Sequence, residues 1–265
     1  MISLVQLLRE AQGNPKAVIL AGAPGAGKGY ILRGLDLGGL KTMNVDDIYV
    51  PLLKKANITL DLKNATPEER SEQAKQMAAA NKQFKGEMEQ IIAGKESFIL
   101  DGTAASYNTT AKLKAELDEA GYDTFMLYVY TDLERSLSQN QDRYVKSGGE
   151  DRSLAPAIVM RTWKSVTDNL PKYEELFGNN FVAVANTLDD RMQDIDKIIQ
   201  KYLKPFTPQG TKPKTPAQQK KSDERKAKDK EEIQAMLADD FIYDVIEYTM
   251  SKEEAQMRLK QFLSK

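Results

Sequence analysis

Residues 17–29 read AVILAGAPGAGKG, an apolar run rich in β-branched residues that ends in a glycine-rich loop closed by Lys28. The spacing is that of GxxxxGK, a loop whose backbone N–H groups turn inward around a phosphate. Gly22, Gly25 and Gly27 let the chain curl, Ala23, Pro24 and Ala26 stand between and beside them, and Lys28 reaches the β- and γ-phosphates as a mobile point charge. A helix starting at the end of the loop adds its positive end. Gly29 and Tyr30 follow, so the hydroxyl that normally meets magnesium directly after the lysine is missing. Residues Gly22 to Tyr30 are therefore the candidate nucleotide contacts, for ATP or GTP. Mg2+ must be held by phosphates, water and carboxylates from elsewhere in the chain. A glycine-rich turn that serves only packing is the competing explanation, but an apolar strand before the loop and a helix after it are the context that phosphate binding demands.

The chain has 265 residues, enough for one full α/β domain and a small appendage. It contains no cysteine, which excludes disulfides and thiolate metal sites, and no histidine, which removes the usual general base and the usual zinc ligand. Acid–base chemistry falls to Asp, Glu, Lys or Tyr. A net charge of −1 gives no global attraction to nucleic acid or membrane. The opening residues MISLVQLLREAQ carry an apolar stripe at helical spacing without a basic region or cleavage site, and no stretch approaches about 18 consecutive apolar residues. These features read as a cytoplasmic protein that does not engage a membrane.

Strand and helix alternate, which predicts an α/β fold with a parallel sheet flanked by helices. The expected strands are AVILA at 17–21, KTMNV at 41–45, SFILD at 97–101, TFMLYVY at 124–130 and FVAVA at 181–185. A long helix is expected from about Thr66 to Ala93, opened by Thr66-Pro67-Glu68-Glu69 and closed by Gly94, with Met77, Phe84, Met88 and Ile92 as a packing stripe. The main domain then covers 1–204. Residues 205–230, rich in Pro, Gln, Thr and Lys, read as a flexible linker. Residues 231–265 regain an apolar pattern and predict a small C-terminal helical hairpin, with a capping box from Ser251 to Glu254. So short a module must dock on the main domain, self-associate or bind a protein partner. The Lys-rich run at 212–230 is interleaved with acidic residues from Asp223 onward, so a solvated linker is favoured over a nucleic-acid contact.

Several residues fall where chemistry is expected. Asp46 follows the second strand, at the end of the sheet where open parallel folds bind ligands, and can accept a proton from a substrate hydroxyl. Its neighbour Asp47 is expected to cap the next helix. Asp101 ends the third strand in SFILDGT and is the candidate carboxylate for Mg2+. The segment from Arg135 to Arg161 has Gly148-Gly149 in its middle and Pro156 restarting a helix. It reads as a hinged basic lid over about 143–156, with Arg143 and Arg152 stabilising the transferring group. Trp163 and Tyr173 read as packing groups. Asn186, after the last strand, is placed by position as a contact to the nucleotide base.

GAPGAGKG, the Asp in NVDDIY, the strand-borne ILDGT and the lid RYVKSGGEDRSLAP together resemble the P-loop kinases that include zeta toxins, chloramphenicol phosphotransferase and the kinase domain of bacteriophage polynucleotide kinase. The resemblance covers about residues 15–203. It implies a P-loop NTPase-type five-stranded sheet in the order 2-3-1-4-5. It also implies Lys28 on the phosphates, Asp46 as the base and Arg143 and Arg152 as lid residues. Adenylate kinases share GxPGxGKG, but their DGFPR motif and the threonine at the place of Tyr30 are missing here. The departures from the zeta toxin pattern are Gly29 and the absence of an arginine a few residues after Asp46. The expected activity is ATP- and Mg2+-dependent phosphorylation of a hydroxyl on a nucleotide sugar, a nucleoside or a polynucleotide 5′ end. A nucleoside monophosphate kinase is one alternative, and a nucleotide-controlled assembly protein without turnover is the other.

Overall fold

The computed structural model describes residues 13–33, 40–62, 65–187, 215–236 and 248–264. Its centre is a sheet of parallel strands, β1 (Lys16–Ala21), β2 (Lys41–Met43), β3 (Phe98–Asp101), β4 (Asp123–Tyr130), β5 (Phe181–Ala185) and β6 (Thr249–Met250), in the order β2-β3-β1-β4-β5-β6. Every residue of β1 is buried. An apolar run without polar alternation is what a strand covered on both faces requires. Ala17, Ile19 and Ala21 join one core layer with Met126, Tyr128 and Phe98, while Val18 and Leu20 join the other with Leu127, Val129 and Val184.

The expected order of five strands is present, and the sheet gains a sixth. β6 pairs with the outer edge of β5, matching Ala183 with Thr249 and Val184 with Met250. An uncovered edge carries unpaired N–H and C=O groups, and two residues of the C-terminal module satisfy them.

The helices among the described residues are α1 (Lys28–Leu32), α2 (Asp46–Lys55), α3 (Pro67–Gly94), α4 (Tyr107–Glu119), α5 (Leu133–Lys146), α6 (Pro156–Asp168), α7 (Leu170–Phe177), α8 (Pro216–Met236) and α9 (Lys252–Leu263). The long helix α3 opens with the capping box of Thr66 and Glu69 and runs through Gly94, leaving Lys95 to take the left-handed cap. Met88 and Ile91 of α3, Leu117 of α4, Leu133 and Leu137 of α5 and Trp163 of α6 cover one face of the sheet. Trp163 donates its indole N–H to the Thr131 carbonyl at 2.7 Å, and Tyr173 donates to the Ala104 carbonyl at 2.6 Å, so both act as packing groups.

Two expectations differ at the C-terminal side. Residues 216–230, expected within a flexible linker, lie in α8, because Gln, Lys, Glu and Ala are strong helix formers and local pairs such as Gln219 with Asp223 support them. Within the span of the expected helical hairpin, the described residues 248–264 form the strand β6 followed by the helix α9. Ser251 caps α9 by accepting from the Glu254 N–H at 3.1 Å, and Ala255, Leu259 and Phe262 pack on the second face of the sheet. Residues 1–12, 205–214 and 237–247, on which the opening stripe, part of the linker and part of the hairpin were expected, lie outside the described residues. Among the described residues no helix is long and apolar enough to cross a membrane.

Candidate nucleotide and phosphoryl-transfer site

The loop between β1 and α1 sits at the C-terminal edge of the sheet. Its curl depends on glycine. Gly22 has φ +143°, and a Cβ there would stand 2.5 Å from the Val129 carbonyl oxygen. Gly27 has φ +84°, and a Cβ would collide with the Asn186 amide. Three side chains hold the loop's carbonyls turned outward. Ser136 donates to the Pro24 carbonyl at 2.6 Å and Asn186 donates to the Ala26 carbonyl at 2.8 Å. With the Gln139 amide assigned so that its NH2 faces the loop, it donates to the Gly25 carbonyl at 2.6 Å and accepts from Arg135. With those carbonyls engaged outward, the N–H groups of Gly25, Gly27, Lys28 and Gly29 have no partner within the described protein. Inward-facing, unpaired N–H groups are what a polyphosphate needs.

Lys28 donates to the Gly22 carbonyl at 3.2 Å. Burial lowers its ammonium below the ordinary value, Asp101 opposes that effect, Arg143 reinforces it and Asp46 opposes it. Ala23 and Ala26 are buried, Pro24 is bound through its carbonyl as above, and Gly29 and Tyr30 are exposed at the start of α1.

The carboxylates are arranged by Asn44, which the sequence reading missed. Its side-chain oxygen accepts from the Asp46 N–H at 2.9 Å and its NH2 donates to Asp101 Oδ2 at 3.1 Å. Asn44 thus ends β2 two residues early and caps α2, the role expected of Asp47, whose side chain makes no cap. The available signal was an Asn two residues before the helix, a strong capping type. Asp47 instead has its carboxyl raised above the ordinary value, by burial first and then by Asp46 and Asp101.

The lid closes over this group. α5 ends at Lys146, Gly148 and Gly149 turn the chain with φ +66° and +87°, and Arg152 returns to the site. Arg152 Nη2 donates to both oxygens of Asp46, at 2.7 and 2.9 Å. The side chains are only 16% and 18% exposed, so this pair is largely withdrawn from water. Its guanidinium also lies 5.7 Å from the centre of the Tyr49 ring, and its Nε is buried without a hydrogen-bond partner. Arg143 forms an ion pair with Asp151 within the lid, half exposed. Ser153 donates to Asp61 at 2.9 Å and to the Leu60 carbonyl at 3.1 Å, and Lys54 pairs with Glu150. Asn140 and Leu154 exchange two further hydrogen bonds at the lid's base.

The structure thus pairs Arg152 with Asp46 and links the Asp46 backbone through Asn44 to Asp101, while Arg143, half exposed, pairs within the lid and also acts on Lys28. Asn186, expected at the nucleotide base, lies beside the loop and braces it through the Ala26 carbonyl. Ser136 and Gln139, three residues apart and so on one face of α5, carry no sequence signal that would link them to a loop more than a hundred residues away. For Mg2+, the described residues contain no group of three metal-ligating side chains. Mg2+ commonly keeps phosphates and several waters and takes one or two carboxylates. Asp101 is the residue that would supply one.

The sequence matches the zeta toxin family over residues 4–199. No curated protein sequence matches it significantly. The AvrRxo1-ORF1:AvrRxo1-ORF2 complex in its native form is similar in fold, with a TM-score of 0.53 at 16% identity over 97% of this chain and 82% of the other. The complex solved with ATP gives 0.51 at 15% identity, covering 100% of this chain and 84% of that one. The PezAT toxin–antitoxin system of Streptococcus pneumoniae gives 0.47 at 16% identity, covering 79% and 83%. The family match spans well over half of the sequence and contains the phosphate loop, both strand-end carboxylates and the lid, and the chain belongs to the zeta toxin family of P-loop kinases.

Proposed function

We propose that the protein transfers the γ-phosphoryl group of ATP to a hydroxyl of a small molecule, a nucleotide sugar or nucleoside, or of a polynucleotide 5′ end. The observation that supports a hydroxyl acceptor is the Asp46 carboxylate, which follows β2 at the C-terminal edge of the sheet, is bonded by Arg152 of the lid and is linked through Asn44 to Asp101. An acceptor that is already an ionised phosphate needs no base; a hydroxyl must lose a proton.

In this reading the loop N–H groups and Lys28 hold the β- and γ-phosphates. The substrate hydroxyl displaces Arg152 from one Asp46 oxygen and gives that oxygen its proton as the new O–P bond forms. The bond from the γ-phosphorus to the bridging oxygen breaks and ADP leaves. The freed Arg152 then faces the transferring group, where charge spreads over three equatorial oxygens. Asp101 would help to hold Mg2+ at this site, where the ion would supply charge neutralisation to the phosphates. Lid closure excludes water that would otherwise take the phosphoryl group.

The test is transfer of labelled γ-phosphate from ATP into a panel of nucleotide sugars, nucleosides, nucleoside monophosphates and 5′-hydroxyl DNA and RNA. Label in one hydroxyl class, lost in Asp46→Asn while ATP still binds, supports the reading. Label in monophosphates that survives Asp46→Asn overturns it in favour of a nucleoside monophosphate kinase.

A further inference from the structure

Residues beyond 199 lie outside the family match, yet they meet α1, the helix that follows the phosphate loop. α1 has five residues, too few to hold itself as a helix in water. Its last carbonyls have no partner inside the helix, as at any helix end. Gln256 of α9 supplies one: its NH2 donates to the Ile31 carbonyl at 2.7 Å and lies 3.4 Å from the Arg33 carbonyl. One turn earlier, the Lys252 ammonium sits 4.0 Å from the centre of the Tyr30 ring, whose other cationic neighbour is Arg33 at 5.5 Å.

Residues 252 and 256 share one face of α9, because positions four apart are stacked along a helix. The apolar stripe of Ala255, Leu259 and Phe262 faces the sheet and meets Val18, Leu20, Ile31 and Phe125 in one core layer. α9 therefore has one side fixed by the sheet and one side that grips α1. Lys28 is the first residue of α1, so whatever sets the position of that helix sets the position of the lysine. The same sheet edge holds the loop a second time, since β5 leads directly into Asn186, which donates to the Ala26 carbonyl.

We infer that the C-terminal strand and helix, residues 249–263, complete the nucleotide site, with Gln256 and Lys252 as positioning residues for the helix that carries Lys28. This rests on the nucleotide reading of the loop. The segment is then part of the ATP-binding apparatus of this chain, and ATP affinity depends on side chains more than two hundred residues from the loop.

The test uses the full chain and titration calorimetry with a non-hydrolysable ATP analogue and Mg2+. Gln256→Glu keeps the shape but sets a carboxylate against two carbonyls at a helix C-terminus; Gln256→Lys keeps a donor there. Affinity should fall about tenfold or more in Gln256→Glu and stay within about threefold of the parent in Gln256→Lys. The KM for the acceptor should not change. Lys252→Ala, which leaves Gln256 and the apolar stripe intact, should lose about two- to fivefold in affinity. Thermal unfolding of each variant confirms that it is folded. Parental affinity in Gln256→Glu and Lys252→Ala, or equal losses in the Glu and Lys variants of Gln256, overturns the inference and leaves the nucleotide reading standing. Failure of the parent itself to bind the analogue removes both.

Discussion

The phosphate loop and the lid are held by different bonds. The loop is fastened by neutral hydrogen bonds from fixed elements: Ser136 and Gln139 on α5 and Asn186 at the end of β5 each take one carbonyl. The lid is held to the rest of the molecule by two ion pairs, Arg152 with Asp46 and Lys54 with Glu150, beside the hydrogen bonds of Ser153 and Asn140. Neutral bonds to buried carbonyls do not exchange with salt or with an incoming phosphate. Ion pairs do, because a phosphoryl oxygen competes directly for the same guanidinium. The difference teaches a division of labour: the nucleotide meets a preformed cradle, and the acceptor meets a latch that its own chemistry can open.

The largest effect should come from the residue where the two regions meet. Asp46→Asn removes the base and half of the Arg152 latch, and kcat should fall about 10²- to 10⁴-fold with ATP affinity preserved, read by steady-state kinetics and calorimetry. Next is the loop. Gly27→Ala forces a side chain into a left-handed backbone and onto the Asn186 amide, a strain of about 1–3 kcal/mol that should lower ATP affinity by about tenfold or more. Removing one brace is milder: Ser136→Ala leaves the Pro24 carbonyl unpaired and should weaken ATP binding by about fivefold, near 1 kcal/mol.

On the lid side, Lys54→Ala breaks a pair whose partners are 45% and 75% exposed, and should cost no more than about 1 kcal/mol in stability. Its value is as a control. A loss of ATP affinity in Lys54→Ala as large as that in Ser136→Ala would reverse the assignment of cradle and latch. Away from both regions, Tyr122 donates to the Ile91 and Glu96 carbonyls, and burial, then Glu96, pushes its phenol up to about 12. The folded state holds that proton more tightly than the unfolded state, so the contribution is complete below pH 10 and is lost as pH rises from 10 towards 12. Denaturant titrations of the parent and Tyr122→Phe across that range should converge at high pH.

The cradle was largely legible in the sequence, because glycine spacing and an apolar strand are local signals. Five strands, the loop, Asp46, Asp101 and the arginines around Gly148-Gly149 could all be read from short windows, with the strand order following from the family resemblance. What was not legible depends on contacts across the chain. Two residues, Thr249 and Met250, become a strand only because β5 offers an open edge. α8 has few apolar residues, so a reading that looks for a buried face sees a linker. Asn44 displaced Asp47 as the cap because its side chain reaches both the Asp46 N–H and Asp101, a choice between neighbours that periodicity cannot make. Ser136, Gln139 and Gln256 are ordinary polar residues on helix surfaces until the loop is seen beside them.

The central claim is that Asp46 serves a hydroxyl acceptor. The most direct measurement is 31P NMR of the purified product formed from ATP and the accepted substrate. The account predicts a phosphomonoester whose phosphorus couples to protons on the adjoining carbon. A new phosphoanhydride, in which the transferred phosphorus itself couples to another phosphorus, would contradict it and make the acceptor a phosphate.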